Sequence, residues 1–393
     1  MYKPLAGYKI LDCSRLLPYQ YCTLLLGDLG AEVLKVEEPG RGDYGRWVDS
    51  DNPGKERLVF AMANRNKKSL TLNLKEEAGK KIFKELAATY DVLFESFRPG
   101  VMDKLGLGYQ VIKEINPKII YCSGTGYGQT GPYRLKAGHD INYISIAGIL
   151  GITATHTGQP VIPGIPIADM AGGGVFPAFI IVAALIGREK TGLGMYVDVA
   201  MTDVATSLNI INIASALSKS TGGKLHTYNI RGKSVCYNTY ETKDGKFISI
   251  GNLEPKFWKN FCHAIGRDDL IENHYSTFKE GEQTTEILKT IFLSKTQAEW
   301  VEFFKEVDNC FAPVLMPEET LEDQHLIARG MITKMPDKKR KETVHIGFPA
   351  LFLEDLDYKR SPAPVLGEHT IETLKSLGYS PVEIETLKKN GVI

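Results

Sequence analysis

The segment KILDCSRLLPYQYCTLLLGDLGAEVLKVE, residues 9–37, indicates the fold class. KILDCSR (9–15) has the apolar composition of a buried strand, the following residues up to YCTLLLGDLG form a helical stretch, and AEVLKVE (31–37) predicts a second strand. Gly30 lies at the turn after the helix, a position that glycine often takes. Strand, helix and strand in this order predict a βαβ unit with parallel strands and a right-handed connection.

The same alternation continues along the chain. SLTLNL (69–74) is strand-like, EEAGKKIFKELAATY (76–90) is helical, and DVLFESF (91–97) and PKIIYCSG (117–124) are again strand-like. This pattern predicts an α/β domain. Because sheets of this class bind their ligands at the carboxyl ends of the strands, we expect the functional site at that edge.

The pattern changes near residue 225. YNTYETKDGKFISIGN (237–252) contains two alternating strands joined by a Lys-Asp-Gly turn, which predicts a hairpin, and Pro255 predicts the start of a helix directly after Glu254. We therefore expect a small α+β domain over residues 225–320, inserted into a large domain that comprises residues 1–224 and 321–393.

Composition and charge exclude several classes of protein. The 393 residues contain 47 Lys plus Arg and 47 Asp plus Glu, and this balance argues against nucleic acid as a partner. The N-terminus lacks the apolar stretch of a signal peptide. The longest apolar run, residues 175–186, is too short to span a bilayer and predicts a buried core helix. We therefore expect a cytoplasmic protein with no membrane partner.

No metal or redox cofactor is expected. The six cysteines include no CxxC pair and the eight histidines have no ligand spacing such as HExxH. GTGYGQTG (124–131) follows a strand, as a dinucleotide-binding loop does, but Pro132 pushes Gly131 away from helical geometry. Since the dinucleotide fingerprint requires a helix directly after its glycines, the segment instead favours a flexible loop over a ligand.

The segment AGHDINYISIAG (137–148) places a histidine and an aspartate where a helix begins, because apolar residues recur at helical spacing from Ile141 onward. In one interpretation Asp140 is an ordinary N-cap whose carboxylate accepts backbone N–H groups, and His139 has no chemical role. In the other, the positive end of the helix dipole disfavours an imidazolium, so His139 is a neutral base. The segment alone leaves both interpretations open.

IPIADMAGGG (165–174) combines Asp169 with three glycines before the apolar helix. A carboxylate between apolar residues and glycines should be partly buried, which raises its pKa, whereas the helix start lowers it. The glycines would let a ligand touch the backbone and expose N–H groups for an oxyanion. The alternative is an N-cap with glycines that serve helix packing. Arg65 and Arg98 flank strands at positions where phosphates are often held, or are ordinary surface charges.

These motifs resemble, in order along most of the chain, those of the class III CoA-transferase family (CaiB/BaiF type) and, within it, the alpha-methylacyl-CoA racemases. The matching segments are LLLGDLGAEVLKVEEPGRGD (24–43), NRNKKSLTLNLK (64–75), FRPGVMDKLGLGY (97–109), SGTGYGQTGPY (123–133), AGHDINYISIAG (137–148), ADMAGGG (168–174), GNLEPKFW (251–258) and PAPVLGEHT (362–370). AGHDINY and the Leu-Glu-Pro of GNLEPKFW resemble the racemases in particular.

The resemblance implies a Rossmann-like large domain with a parallel sheet, built from both chain ends, and an interlocked homodimer in which each chain passes through its partner. It also implies active sites at contacts between large and small domains of different subunits. The ligand that it implies is an acyl-CoA thioester, with coenzyme A as part of the substrate and no further cofactor.

The resemblance also assigns roles to individual residues. His139 and Asp169 match the two acid/base groups, and Asp140 and Glu254 match their hydrogen-bonding partners. The positions matched to CoA are Leu72, Leu74 and Lys75 near the adenine and Arg98 and Lys104 at phosphates, with Arg65 added because of its position. Glu38 stands where the racemases have an arginine, so we expect Arg41 to make that phosphate contact; Tyr19-Gln20 stands where the family often has Gly-Pro.

These residues are compatible with two reactions, and also with a protein that binds acyl-CoA without catalysis. Inverting an α-carbon beside a thioester requires proton removal on one face and delivery on the other, which His139 and Asp169 would perform. In a CoA-transferase, Asp169 would instead attack the thioester, form an acyl-aspartyl anhydride and release CoA. That reaction has no evident need for His139, so the histidine favours epimerisation of 2-methylacyl-CoA. A catalytically silent acyl-CoA-binding protein is the third possibility.

Overall fold

The computed structural model describes residues 3–47, 58–155, 157–220, 234–276, 281–337, 341–350 and 360–393. Its strands are β1 Lys9–Cys13, β2 Glu32–Glu37, β3 Lys67–Thr71, β4 Val92–Glu95, β5 Ile120–Thr125, β6 Met195–Ala200, β7 Tyr237–Glu241, β8 Phe247–Gly251, β9 Phe311–Val314, β10 Ile332–Asp337 and β11 Lys341–Ile346. Its α-helices are α1 Leu17–Asp28, α2 Leu58–Ala63, α3 Glu77–Ala87, α4 Val101–Lys104, α5 Tyr109–Ile115, α6 Asp140–Ile146, α7 Ile149–Ile152, α8 Phe176–Thr191, α9 Met201–Leu208, α10 Ile210–Ser220, α11 Pro255–Ala264, α12 Glu282–Phe292, α13 Gln297–Phe304, α14 Pro317–Thr320, α15 Gln324–Ala328, α16 Thr370–Ser376 and α17 Pro381–Lys389.

The chain forms two compact units, one of residues 1–210 with 327–393 and one of residues 211–326. The domain boundary expected at residues 224 and 225 lies outside the described residues. The second expected boundary, between residues 320 and 321, lies near the end of the smaller unit.

The larger unit contains a six-stranded sheet in the order β3-β2-β1-β4-β5-β6, in which every neighbouring pair is parallel. The βαβ unit predicted at the N-terminus is confirmed as β1, α1 and β2, and the predicted α/β class is confirmed by the whole sheet. Since β1 lies between β2 and β4, the strand order reverses at β1 and β4, and a crevice opens there at the carboxyl ends of these strands.

Both faces of this sheet are covered by helices. On one face, Ile10 and Val92 pack with side chains of α1 and α8. On the other, the adjacent residues Leu11 and Leu93 pack with side chains of α3, α5, α16 and α17. Because successive residues of a strand point to opposite faces, adjacent apolar residues such as Ile10 and Leu11 supply side chains to both buried faces of the sheet.

The apolar run at residues 175–186 is part of a helix that is longer than the run itself. A π-helical segment, Asp169–Val175, leads directly into α8. Of the residues that the structure describes, Asp169–Thr191 is the one helix long and apolar enough to cross a membrane, a property that core helices of soluble proteins share. One face of α8 packs into the core as predicted, with Ile181 fully buried, but Phe179 on another face is 63% exposed, so the helix is buried on one face only.

The smaller unit has an antiparallel sheet in the order β7-β8-β9, and the hairpin predicted at residues 237–252 is confirmed as β7 and β8. Gly245 has a φ of +73° at the turn, a conformation that favours glycine. The aromatic side chains of Trp258 in α11, Phe292 in α12 and Trp300 in α13 form the core together with apolar residues of β7 and β8. The predicted helix after Glu254 is confirmed as α11, and this unit has the expected α+β composition.

Candidate active site

A cavity of about 300 Å³ lies at the carboxyl ends of β1 to β4 in the larger unit. Its walls include Arg15 after β1, Glu38 after β2, residues 72–75 after β3 and Phe97 after β4. It therefore occupies the crevice where the strand order reverses, which is the position expected for a ligand.

The residues that the resemblance assigned to CoA divide into two groups. Leu72, Leu74 and Lys75 line this cavity. Arg41 and Lys104 are exposed and are not among its lining residues, and Arg98 lines a second cavity of about 280 Å³. The adenine-side assignments thus share one cavity, whereas the phosphate-side assignments do not.

Arg65 has a structural role. It is 2% exposed, and its guanidinium forms an ion pair with Asp28 at 2.5 Å and donates to the carbonyl oxygen of Ile346 at 2.7 Å. A guanidinium committed to a buried carboxylate is not free to bind a phosphate, so the expected contact of Arg65 with CoA is wrong. Asp28 lies 37 positions away in the chain, and no local pattern indicates this pair.

The structure brings His139, Asp140 and Asp169 together. His139 is the N-cap of α6, and Asp140 is the first residue of that helix. The Asp140 carboxylate accepts a hydrogen bond at 3.0 Å from the backbone N–H of Asp169, which begins the π-helical segment. The interpretation of Asp140 as an ordinary N-cap is therefore wrong: His139 takes that position, and the Asp140 carboxylate joins two helix starts.

The Asp169 carboxyl is half-buried and electrostatically perturbed. Burial is the largest cause that raises its pKa, to about 6, and the Asp140 carboxylate adds to the effect. His139 acts in the opposite direction, which indicates that the imidazole lies within electrostatic range of Asp169. A carboxyl with a pKa near neutrality exchanges protons readily at physiological pH.

The three glycines after Asp169 serve close packing. A Cβ at Gly172 would lie 2.7 Å from the Cα of Met201 in α9, and one at Gly173 would lie 2.5 Å from the Cβ of Pro18 in α1. The packing interpretation is therefore the one that the structure favours. π-Helical turns occur frequently at functional sites, and here the turn begins at the candidate catalytic carboxylate.

The first N–H groups of the π-helical segment are already used. That of Asp169 donates to Asp140, and that of Met170 donates to the carbonyl oxygen of Pro166 at 2.9 Å. The expectation that N–H groups at this helix start stabilise an oxyanion is therefore wrong for these two residues, because each group has an acceptor within the chain.

Gly138 lets the backbone just before His139 pass close to the side chains of two tyrosines. A Cβ at Gly138 would lie 2.8 Å from the Cε1 of Tyr143 and 2.9 Å from the hydroxyl oxygen of Tyr127. The Tyr143 hydroxyl donates to the Gly138 carbonyl at 2.6 Å. Sequence reasoning missed this buried tyrosine, although Tyr143 lies in the same quoted segment, one helical turn after His139.

Glu254 belongs to the smaller unit, where it is exposed and is the N-cap of α11. The backbone before it is held in place, since Asn252 is fully buried and its side-chain oxygen accepts from the N–H of Cys310 at 2.8 Å. The pairing of Glu254 with Asp169 stays a prediction.

A network of buried charges lies next to the cavity, and the sequence reasoning missed it. Its ion pairs join Lys35 to Asp43 at 2.8 Å, Arg46 to Glu37 at 2.7 Å and Lys67 to Asp12 at 3.7 Å. All six side chains are at most 3% exposed. The available signal was the charged residues Lys35 and Glu37, which alternate with apolar residues at the end of strand β2.

Known proteins resemble this chain over nearly its full length. A sequence model of CoA-transferase family III matches residues 5–370. Human succinyl-CoA:glutarate CoA-transferase is 34% identical and is matched over 100% of this chain and 90% of its own. Human alpha-methylacyl-CoA racemase is 32% identical and is matched over 99% of this chain and 97% of its own.

A solved structure has the same fold. The crystal structure of a CaiB/BaiF family protein from Brucella suis superposes with a TM-score of 0.80 at 29% identity, and the match covers 96% of this chain and all of that one. Identities of 34% and 32% do not separate transfer from epimerisation. Together with the motifs quoted above, these matches show that the chain belongs to CoA-transferase family III, whose members are enzymes that act on acyl-CoA thioesters.

Proposed function

We propose that the protein epimerises 2-methylacyl-CoA thioesters by 1,1-proton transfer. One of the pair His139 and Asp169 removes the α-proton, and the electron pair of the broken C–H bond moves into the thioester as an enolate. The other group, which starts protonated, then delivers a proton to the opposite face of the same carbon. The reaction exchanges protons only, so it needs no metal or redox cofactor.

The observation that carries the proposal is the hydrogen bond that joins the start of α6 to the start of the π-helical segment. The Asp140 carboxylate bonds to the Asp169 N–H at 3.0 Å, and Asp140 directly follows His139. An imidazole and a carboxyl with a pKa of about 6 are thus held near one another, which suits two groups that exchange acid and base roles near neutral pH.

CoA transfer is the second candidate. It is favoured by the half-buried Asp169, which suits a nucleophile, and by relatives that are CoA-transferases, including the human succinyl-CoA:glutarate enzyme. In that reaction the thioester C–S bond breaks, Asp169 forms an acyl anhydride and CoA leaves as a thiol. His139 has no evident part in these steps, so the two reactions predict different variant phenotypes.

We propose in addition that the protein acts as the interlocked homodimer that the family resemblance implied, in which Glu254 reaches a site. Support comes from large apolar side chains exposed on α8, among them Phe179 at 63% and Ile186 at 56%, which a partner subunit would cover.

The α-proton of the substrate provides the decisive measurement. Incubation of a 2-methylacyl-CoA with the protein in D2O should exchange the α-proton for deuterium. His139→Ala should reduce both inversion of the α-carbon and exchange of the epimer whose α-proton faces His139 about 100-fold or more. His325→Ala, a change at an exposed histidine elsewhere in the chain, is the matched control and should exchange normally.

Other outcomes identify the rival functions. Passage of CoA to an added carboxylic acid without deuterium uptake would establish transfer and overturn the epimerase. Binding of the thioester without either reaction would leave a silent acyl-CoA-binding protein.

The pH dependence tests the coupling of the two aspartates. Since the carboxylate of Asp169 is the form that accepts a proton, exchange of the epimer whose α-proton faces Asp169 should fall as pH drops through about 6. Asp140→Asn keeps a side-chain oxygen for the Asp169 N–H but removes the charge that helps raise the pKa of Asp169. The acid limb of kcat/KM should therefore move to lower pH in this variant. A limb that stays in place or moves upward would contradict the assignment.

A further inference from the structure

Arg15 is a cation in the cavity that neither the motifs nor the resemblance assigned. It directly follows Ser14 at the carboxyl end of β1 and lines the cavity with Leu72, Leu74 and Lys75. Arg15 and Lys75 are the two basic residues among the lining residues in the described part of the chain. Arg41, which the sequence suggested as the replacement for the arginine missing at position 38, is not among them.

The position of Arg15 is fixed by its neighbours. Its backbone N–H donates to the Ser96 hydroxyl oxygen at 2.9 Å, and its guanidinium lies 5.1 Å from the centroid of the Phe97 ring. Leu16, the next residue, has a φ of +68°, a strained conformation for a non-glycine residue, and its N–H donates to Asp43 at 3.3 Å. The loop after β1 is thus held from two sides in a conformation that directs Arg15 toward the cavity.

The charges around Arg15 leave its guanidinium available. Within the described residues Arg15 has no ion pair, and its cation–π contact with the Phe97 ring does not engage a hydrogen-bond acceptor, so its N–H groups stay available to a ligand. Glu37, which also lines the cavity, is committed to Arg46 and Ser69. A guanidinium edge presented to a cavity at the carboxyl ends of parallel strands suits a phosphate, which it can bind through two parallel hydrogen bonds.

We propose that Arg15 binds a phosphate group of CoA and supplies the contact for which the sequence suggested Arg41. The inference rests on the proposed function to the extent that the cavity must receive an acyl-CoA. In this chain the cation would come from the loop after β1, and not from the loop after β2 to which the resemblance assigned it.

Calorimetric titration with CoA and with pantetheine, which lacks all the phosphates, tests the assignment. Arg15→Gln should weaken CoA binding about 10- to 100-fold and leave pantetheine binding unchanged, because the lost contact is to a charged group. Arg15→Lys should recover part of the loss. Arg329→Gln, at an exposed arginine of the same unit, is the matched control, and Arg41→Gln should change CoA binding less than about threefold.

Kinetics and a third ligand sharpen the result. Arg15→Gln should raise KM and leave kcat nearly unchanged, since a phosphate contact is present equally in ground state and transition state. If dephospho-CoA binds equally to both proteins, the contact is to the 3′-phosphate; if the loss persists, it is to the diphosphate. Wild-type CoA affinity in Arg15→Gln, or a larger loss in Arg41→Gln, would overturn the inference. CoA binding that depends on Arg15 without proton exchange would overturn only the epimerase.

Discussion

Asp169→Asn should lower both epimerisation and CoA transfer about a thousandfold while the protein stays folded. Asparagine has nearly the same shape as aspartate, and the backbone N–H of residue 169 can still donate to Asp140. It can neither accept the α-proton nor attack a thioester, so the two candidate reactions agree on this variant. Retained turnover of either kind would mean that the site lies elsewhere.

The matched control is Asp198→Asn in the same unit. Asp198 also has a raised pKa, caused first by burial, and its carboxylate accepts from the N–H of Gln129 at 2.9 Å. An asparagine there keeps the acceptor oxygen, so activity should remain close to that of the wild type. Loss of activity in both variants would point to general disruption of the unit rather than to a catalytic carboxylate.

The stability of Asp169→Asn should move in the opposite direction from its activity. Because the pKa of Asp169 is raised by folding to about 6, the stability that this group contributes is present at low pH and is lost as pH rises through that value. At pH 7 the folded wild type holds a carboxylate in a site that disfavours it, and asparagine carries no charge. Thermal unfolding at pH 7 should therefore show an equal or higher Tm for the variant, and the difference should vanish at pH 4.

The strands of the large sheet could be predicted where both faces are buried. β1, β2 and β4 each contain adjacent apolar residues that are buried, and their order in the chain alternates with helices, which is enough to predict parallel pairing. β6 was missed although its residues, MYVDVA, are apolar except for Asp198; it is the edge strand of the sheet, and its first residues are exposed. The π-helical segment before α8 was missed for another reason. An apolar run predicts that a segment is helical, but it does not predict whether the hydrogen bonds are those of an α-helix or of a π-helix.

The candidate site could be predicted only where its chemistry is local. His139, Asp140 and Asp169 each lie at a helix start that the sequence marks, so their elements were correctly expected. The basic residues considered for phosphate binding are different, because the directions of Arg15 and Arg65 depend on contacts with distant segments. Arg65 turns to Asp28, and Arg15 is held against Phe97 on another strand loop.

Asp43→Asn should destabilise the larger unit by about 3 kcal/mol, the usual cost of leaving a buried charge without its partner. Although burial alone would raise the pKa of the Asp43 carboxyl, the Lys35 ammonium 2.8 Å away holds that pKa at about 2. The same carboxylate accepts from the N–H of Gly45 at 2.8 Å and from Gln20 at 2.7 Å. An asparagine can keep some of these bonds, but it leaves the Lys35 charge in the interior.

Urea denaturation followed by circular dichroism measures the loss, and two further variants identify its cause. In Asp43→Asn with Lys35→Met no unpaired charge remains, so the double variant should be more stable than the sum of the single changes predicts. Glu77→Gln removes the partner of Lys80, an exposed pair at 2.7 Å, and should leave the denaturation midpoint unchanged. If Asp43→Asn also left the denaturation midpoint unchanged, the buried ion pairs would not be what fixes the loops after β1 and β2. The direction of the Arg15 side chain would then have to depend on Ser96 and Phe97 alone.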